Sequence, residues 1–324
     1  MKLKCAILDD YQNIALSIAD WSSLREKIEI KSFQEHFEQE DDLVHTIENY
    51  EIIIVMRERT PFKASLFSRL PKLQLLITSG MRNASIDLHA AEACGVKVCG
   101  TKSFSEPPAE LTWALILGLA RNIVVESNAL RNNGPWQSSM GVGLSGKTLG
   151  LLGLGKIGSL VAKIGLAFGM KVVAWSQNLT AARAAEIGVN LAATKDELLE
   201  NSDFVSIHLV LSDRTRHLLK ESDLKRMKPT AFLINTSRAQ IVDQAALITA
   251  LESRWIAGAG IDVFEVEPLP SSDKLRSLPN ILATPHLGYV ADRNYQTYFR
   301  EAVEDIEAFL KGALIRELLI EKKN

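Results

Sequence analysis

Cysteine is scarce, with only Cys5, Cys94 and Cys99 in 324 residues. The number is odd, no CxxC pair occurs, and none has a histidine at metal-ligand spacing. A disulfide framework and a zinc site are both disfavoured, and no metal is expected. A reducing, cytoplasmic compartment fits this usage. An excess of one charge is also lacking: the formal net charge is −2, with 23% of residues charged. Basic residues are scattered, and the only late cluster, Lys322 and Lys323, reads as a solvated tail. Neither a nucleic-acid nor a membrane partner is expected. Long apolar runs are missing too. Cys5 to Leu8 is too short for a signal peptide. Leu111 to Ala120, between Glu110 and Arg121, falls well short of the roughly 18 residues a membrane span needs, so it reads as a buried helix. No short-period repeat or low-complexity segment is visible.

At 324 residues, 47% of them hydrophobic, the chain is long enough for about two domains with cores of their own. Over the first hundred residues, short apolar runs alternate with helical spacing. Leu3 to Leu8, Ile28 to Phe33, Ile52 to Met56, Leu75 to Thr78 and Val96 to Cys99 read as buried strands. A long helix is expected from about Pro108 to Asn132, opened by Pro107-Pro108 and stopped by Asn133-Gly134-Pro135. A second series of strands follows: Thr148 to Leu152, Lys171 to Trp175, Asp203 to His208, Ala231 to Asn235, Gly258 to Asp262 and Ile281 to Ala283. Helices such as Ile157 to Phe168 and Gln244 to Ser253 separate them, and a last helix runs from about Ala291 to Lys311. Strands alternating with helices predict parallel sheets.

Gly153-Leu154-Gly155-Lys156-Ile157-Gly158 sits between the strand ending at Leu152 and a helix opening at Ile157. Alone, GxGxxG is a weak signal, since a flexible turn has the same composition. In this context the first glycine permits a tight turn and the second lets backbone approach a pyrophosphate. The third lets helix and strand pack closely, so the segment reads as a dinucleotide loop. The strand Lys171 to Trp175 then ends beside the adenosine ribose. A carboxylate there selects NAD, but the chain has Ser176, followed by Gln177 and Asn178, and the nearest arginine is Arg183. NAD is the expected cofactor, and nothing in the motif rules out NADP.

Downstream, three predicted strand ends each carry a chemically useful group. Asn235-Thr236-Ser237-Arg238 supplies Arg238, the segment Asp262 to Pro268 supplies Asp262 and Glu267, and Thr284-Pro285-His286 supplies His286. Taken singly, Arg238 reads equally as a solvated strand end, Glu267 as a cap and His286 as a packed loop residue. Strand ends of one doubly wound sheet converge on a ligand crevice, however, so the three can meet.

In these segments the chain resembles the D-2-hydroxyacid dehydrogenase family. The resemblance extends to Thr78-Ser79-Gly80, Ile86-Asp87-Leu88, Ala109-Glu110-Leu111-Thr112-Trp113, Gly134-Pro135-Trp136, Ala167-Phe168-Gly169-Met170 and Pro285-His286-Leu287-Gly288. It covers almost the whole chain, with arginine, glutamate and histidine in the family's order. It implies a Rossmann-type doubly wound sheet inserted into a smaller flavodoxin-like α/β substrate domain. The expected division is 1–104 for the substrate domain, 105–292 for the dinucleotide domain and 293–324 for a helix returning to the first.

It further implies that His286 is the general acid for a 2-oxo acid, that Glu267 orients it and favours its protonated form, and that Arg238 binds the substrate carboxylate. Ser79, Gly80 and Met81 would complete the carboxylate site. Thr236, Asp262 and the Leu209 to Ser212 loop would line the nicotinamide half of the cofactor, with Lys156 and Ile157 part of the pyrophosphate loop. A homodimer paired through the helix after Pro108 is also implied. His36, His45, His89 and His217 lack such company and read as surface residues, and His208 reads as structural.

The chain departs from the family in Gly80-Met81-Arg82-Asn83-Ala84-Ser85 and in Val210, where many relatives have proline; Met56-Arg57-Glu58-Arg59-Thr60-Pro61 adds further positive charge. Arg57, Arg59 and Arg82 suggest a substrate with a second anionic or strongly polar group; the alternative is that Glu58 and solvent neutralise them. No room is expected for the regulatory domain that ends some phosphoglycerate dehydrogenases. The reading is reversible hydride transfer between NAD(P) and a small D-2-hydroxy acid. One rival is a cofactor-sensing binding protein resembling the family's corepressors; the other is a formate dehydrogenase, whose longer insertions are not seen.

Overall fold

The computed structural model describes residues 2–320, so the Lys322–Lys323 tail lies outside the described residues. Contacts divide the chain into two compact units, Met1–Phe104 with Ala291–Asn324, and Ser105–Val290.

The first unit is built on β1 (Leu3–Ile7), β2 (Ile28–Ser32), β3 (Ile52–Val55), β4 (Leu75–Thr78) and β5 (Lys97–Gly100). The strands are parallel in the order β2-β1-β3-β4-β5, the flavodoxin-like arrangement. Ile-Ile-Ile-Val of β3 and Leu-Leu-Ile-Thr of β4 are buried at every residue, as strands covered on both faces require. Leu8, Val55, Phe62, Phe67 and Leu76 belong to one core cluster of this unit. The helix Asp292–Leu310 buries Tyr295, Tyr298, Phe299, Ala302 and Ile306 at 3.6-residue spacing.

The second unit carries β6 (Thr148–Leu152), β7 (Lys171–Trp175), β8 (Asn190–Leu191), β9 (Phe204–Ile207), β10 (Phe232–Asn235), β11 (Gly258–Ile261) and β12 (Ile281–Ala283). Their order is β12-β11-β10-β9-β6-β7-β8, all parallel. The order reverses between β6 and β9, so this is a Rossmann-type sheet with its ligand crevice where the ends of those strands part. Neighbouring residues along a strand feed different cores. Leu151, Phe204 and Ile234 pack in one cluster, and Leu152, Val205 and Leu233 in the other. The strand β8 was not legible in the sequence, being two exposed residues with no apolar pattern.

One expected element is corrected. The single helix from Pro108 to Asn132 is two helices, Glu106–Ala120 and Ile123–Arg131, bent by 64°. Asn122 between them adopts φ +50°, a left-handed conformation asparagine tolerates better than most residues and which no α-helix can carry through. Among the described residues no single helix is long and apolar enough to cross a membrane.

Candidate active site

The glycine loop joins β6 to the helix Lys156–Ala167, whose N-cap is Gly155. Gly153 has φ +103°, and a Cβ there would lie 2.5 Å from the carbonyl oxygen of His208. A Cβ on Gly158 would stand 2.2 Å from the Gly153 carbonyl oxygen. Both positions therefore exclude side chains for steric reasons. Gly155 differs, because a Cβ built there meets no atom within 4 Å. Its open face lies at the N-terminus of a 12-residue helix, where N–H groups point outward and the dipole favours an anion. These residues fit a pyrophosphate.

The crevice continues onto the segment after β9. The Leu209 side chain packs toward Gly153, 3.0 Å from where its Cβ would be. His208 Nε2 hydrogen-bonds the Ser206 hydroxyl at 2.9 Å, and burial pushes the imidazole down to about 4. It is neutral at physiological pH and buttresses the loop, in keeping with a structural role. Ser176 directly follows β7, and its carbonyl accepts the Leu179 N–H at 3.0 Å.

The loop after β10 is shaped by its own polar side chains. Asn235 Oδ1 accepts the Ser237 N–H at 3.1 Å, and its Nδ2 donates to the Arg238 carbonyl at 3.0 Å. The Ser237 hydroxyl donates to the Ile207 carbonyl at 2.7 Å, fastening this turn to the end of β9. The fastening sets the partly buried Arg238 guanidinium, whose Nη1 also donates to the Ser237 carbonyl at 2.7 Å. Thr236 shares a 2.9 Å hydroxyl contact with Thr112 on the helix Glu106–Ala120.

His286 and Glu267 meet. His286 Nδ1 lies 2.6 Å from Glu267 Oε2, and the other Glu267 oxygen accepts the Phe264 N–H at 2.8 Å. The contact fixes which edge of the imidazole faces the carboxylate, and so orients the ring. The two side chains are 17% and 21% exposed, which keeps the pair partly desolvated yet reachable. His286 has φ +53°, with its N–H on the Thr284 carbonyl. A left-handed non-glycine residue persists only where its surroundings enforce it.

Asp262 is the enforcing group. Fully buried at the end of β11, it accepts the Thr284 hydroxyl (2.6 Å) and the Leu287 N–H (2.6 Å) on one oxygen, and the Gly288 N–H (2.8 Å) on the other. Burial pushes its carboxyl upward, while the Thr284, Leu287, His286 and Gly288 groups pull the opposite way. These hydrogen bonds tie Asp262 to the histidine loop, in addition to the place along the nicotinamide that the resemblance implies for it. Thr284 was missed, and its only signal was a hydroxyl two residues before the histidine.

The remaining sequence-predicted residues lie on the first unit. Ser79 and Gly80 follow β4, and Arg57, with φ +55°, follows β3. The Arg57 N–H donates to the Ser79 hydroxyl at 2.9 Å, and its Nη1 lies 2.0 Å from where a Gly80 Cβ would be, so the guanidinium rests directly on Gly80. Gly80 donates its N–H to Thr101 Oγ1 at 3.1 Å, and Met81 is 43% exposed. His36 is not the surface residue it was expected to be. Its Nδ1 bonds the buried Asp9 at 2.8 Å, with its side chain 13% exposed. Among the described residues, no three His, Cys, Asp or Glu side chains are grouped to hold a metal ion.

Residues 113–288 match the NAD binding domain of the D-isomer specific 2-hydroxyacid dehydrogenases. The chain belongs to that family. It is 40% identical over 256 residues to a glyoxylate reductase of Aeropyrum pernix, covering 76% of each chain. It is 36% identical to a hydroxypyruvate reductase of Thermotoga maritima, covering 82% of this chain and 86% of that one. A crystal structure of a putative D-3-phosphoglycerate dehydrogenase oxidoreductase from Ralstonia solanacearum superimposes with a TM-score of 0.93 at 37% identity, covering 98% and 99% of the two chains. Membership makes the chain a nicotinamide-dependent oxidoreductase.

Proposed function

We propose that this enzyme reduces small 2-oxo acids to D-2-hydroxy acids, with glyoxylate, hydroxypyruvate and 3-phosphohydroxypyruvate as the first substrates to try. The observation that carries the reading is the 2.6 Å His286–Glu267 pair, mounted on the same parallel sheet as the glycine loop. When bound, the nicotinamide supplies the hydride that reaches C2. His286 gives the proton from Nε2 to the carbonyl oxygen, and in the reverse direction takes it back. Glu267 holds the ring in position through its 2.6 Å contact with Nδ1. Arg238 pairs with the substrate carboxylate through its planar fork and polarises the carbonyl. Arg57, fixed over Gly80, favours substrates with a second anionic group.

Self-association as a homodimer belongs to the same proposal. The helix Ile123–Arg131 buries none of its residues, and Ile123, Val124, Val125 and Leu130 are 46–62% exposed. A cytoplasmic location is proposed from the cysteine usage alone.

The test is oxidation of NADH and NADPH against glyoxylate, hydroxypyruvate, pyruvate, phenylpyruvate, oxaloacetate and 3-phosphohydroxypyruvate. Turnover of at least one, with kcat lowered about 10²–10⁴-fold in His286→Ala, supports the proposal. No turnover of any, with nicotinamide binding intact, supports the cofactor-sensing alternative.

A further inference from the structure

Arg183 answers the question Ser176 left open, and the argument rests on the dinucleotide site described above. Between β7 and the next helix the chain reads Ser176-Gln177-Asn178-Leu179-Thr180, hydroxyls and amides without a carboxylate. The hydrogen bond from Leu179 N–H to the Ser176 carbonyl closes the turn at 3.0 Å. The Thr180 hydroxyl then accepts the Arg183 N–H at 3.2 Å, fixing the first turn of the helix Ala181–Ile187.

From that turn the Arg183 side chain runs back toward the glycine loop. Its Nη2 donates to Ser159 Oγ at 3.2 Å. Ser159 is the residue after Gly158, it is buried, and its N–H bonds the Gly155 carbonyl at 2.9 Å. The guanidinium thus bridges the segment that follows β7 and the first turn of the phosphate-binding helix. In a Rossmann sheet these two elements flank the adenosine ribose. The other guanidinium arm, Nη1, holds Glu186 at 2.7 Å, an i,i+3 pair whose side chains are 40% and 66% exposed. A pair that open to solvent is weak, so an arriving anion can take the Glu186 place while the Ser159 bond keeps the arginine planted.

We infer that Arg183, with Ser176 and the Gln177–Asn178 amides, forms a subsite for the 2′-phosphate of NADP(H), with Glu186 as the counter-ion the phosphate displaces. A planar guanidinium held at both ends suits a phosphate dianion, and Ser176 puts no negative charge beside it. No covalent step is involved; the arginine changes partner from carboxylate to phosphate.

The test is fluorescence titration of the full chain with NADPH and NADH, each without substrate. Wild type binds NADPH at least as tightly as NADH. Arg183→Ala weakens NADPH at least about tenfold and NADH less than about threefold, while Arg183→Lys retains part of the NADPH affinity because its charge remains. Glu186→Gln tightens NADPH alone, and Ser176→Asp weakens NADPH while preserving NADH. NADH binding in each variant reports a folded site. Wild-type NADPH affinity more than about tenfold below that of NADH, or equal losses for both in Arg183→Ala, overturns the inference. Because no 2-oxo acid is present, a chain that binds NADPH but reduces none of the panel overturns only the substrate proposal.

Discussion

Replacing Asp262 by Asn isolates the brace under the catalytic histidine, because it removes a charge and changes almost no volume. The carboxylate takes three donors: the Thr284 hydroxyl and Leu287 N–H at 2.6 Å on one oxygen, and the Gly288 N–H at 2.8 Å on the other. An amide oxygen can keep the first two. Its Nδ2 then faces the Gly288 N–H, donor against donor, at a residue with 0% exposure. Losing a charge-assisted bond and leaving a buried donor unmatched each cost about 1–3 kcal/mol, and the two overlap, giving about 2–4 kcal/mol. In a unit of this size that lowers the melting temperature by roughly 5–15 °C. His286, at φ +53°, loses the constraint that holds it there, and kcat falls on the order of 10²-fold, the low end of what a positioned acid contributes. Affinity for NADH changes less than about threefold, because the three hydrogen bonds of the Asp262 carboxylate all go to the histidine loop. Thermal melts, NADH titration and steady-state kinetics with the best substrate read all three quantities. Unchanged melting and kcat alongside collapsed NADH binding would refute the brace and return Asp262 to the nicotinamide.

Three other outcomes follow from the geometry. Glu267→Gln keeps the shape but offers a neutral partner to His286 Nδ1 at 2.6 Å, so kcat drops at least about tenfold with KM nearly constant; a KM effect alone would contradict its orienting role. Gly158→Ala drives a Cβ to 2.2 Å from the Gly153 carbonyl oxygen, and calorimetry should show cofactor affinity falling at least about tenfold with the first unit's melting unaffected. The Asp305 carboxyl, on the helix Asp292–Leu310, is raised to about 7, chiefly by burial, with Glu301 and Glu304 adding and Arg316 opposing. A folded-state value above the unfolded one means the native state holds the proton longer. Stability therefore declines as pH climbs from about 4 to about 7 and stays lower above that. Asp305→Asn should gain about 1–2 kcal/mol on wild type between pH 5 and pH 8, allowing for the compensating Arg316 bond at 3.0 Å; parallel melting curves across that range would refute the assignment.

The element pattern was legible where a strand is buried on both faces. Ile52 to Val55 and Leu75 to Thr78 announce themselves by uninterrupted apolar residues. Asn190–Leu191 does not, because both residues are exposed and the strand exists only by pairing with β7. The break at Asn122 was illegible for a related reason: a left-handed residue is a backbone choice, and the flanking Leu119, Ala120, Ile123 and Val124 continue the apolar pattern across it. His36 looked solitary because its partner Asp9 is 27 residues away in sequence.

The sequence by itself determined the family, the glycine loop and the arginine, glutamate and histidine, since each depends on residue type at short spacing or on order along the chain. Tertiary structure decided what those residues touch. His286 meets Glu267, 19 residues earlier, as the resemblance implies, and Asp262 takes its hydrogen bonds from the histidine loop, 25 residues on. Arg183 was brought from a helix of its own to Ser159 beside the glycine loop. The physical reason is common to all of them. Hydrogen-bond partners across a parallel sheet are separated by whole helices, and such distances close only when the core packs.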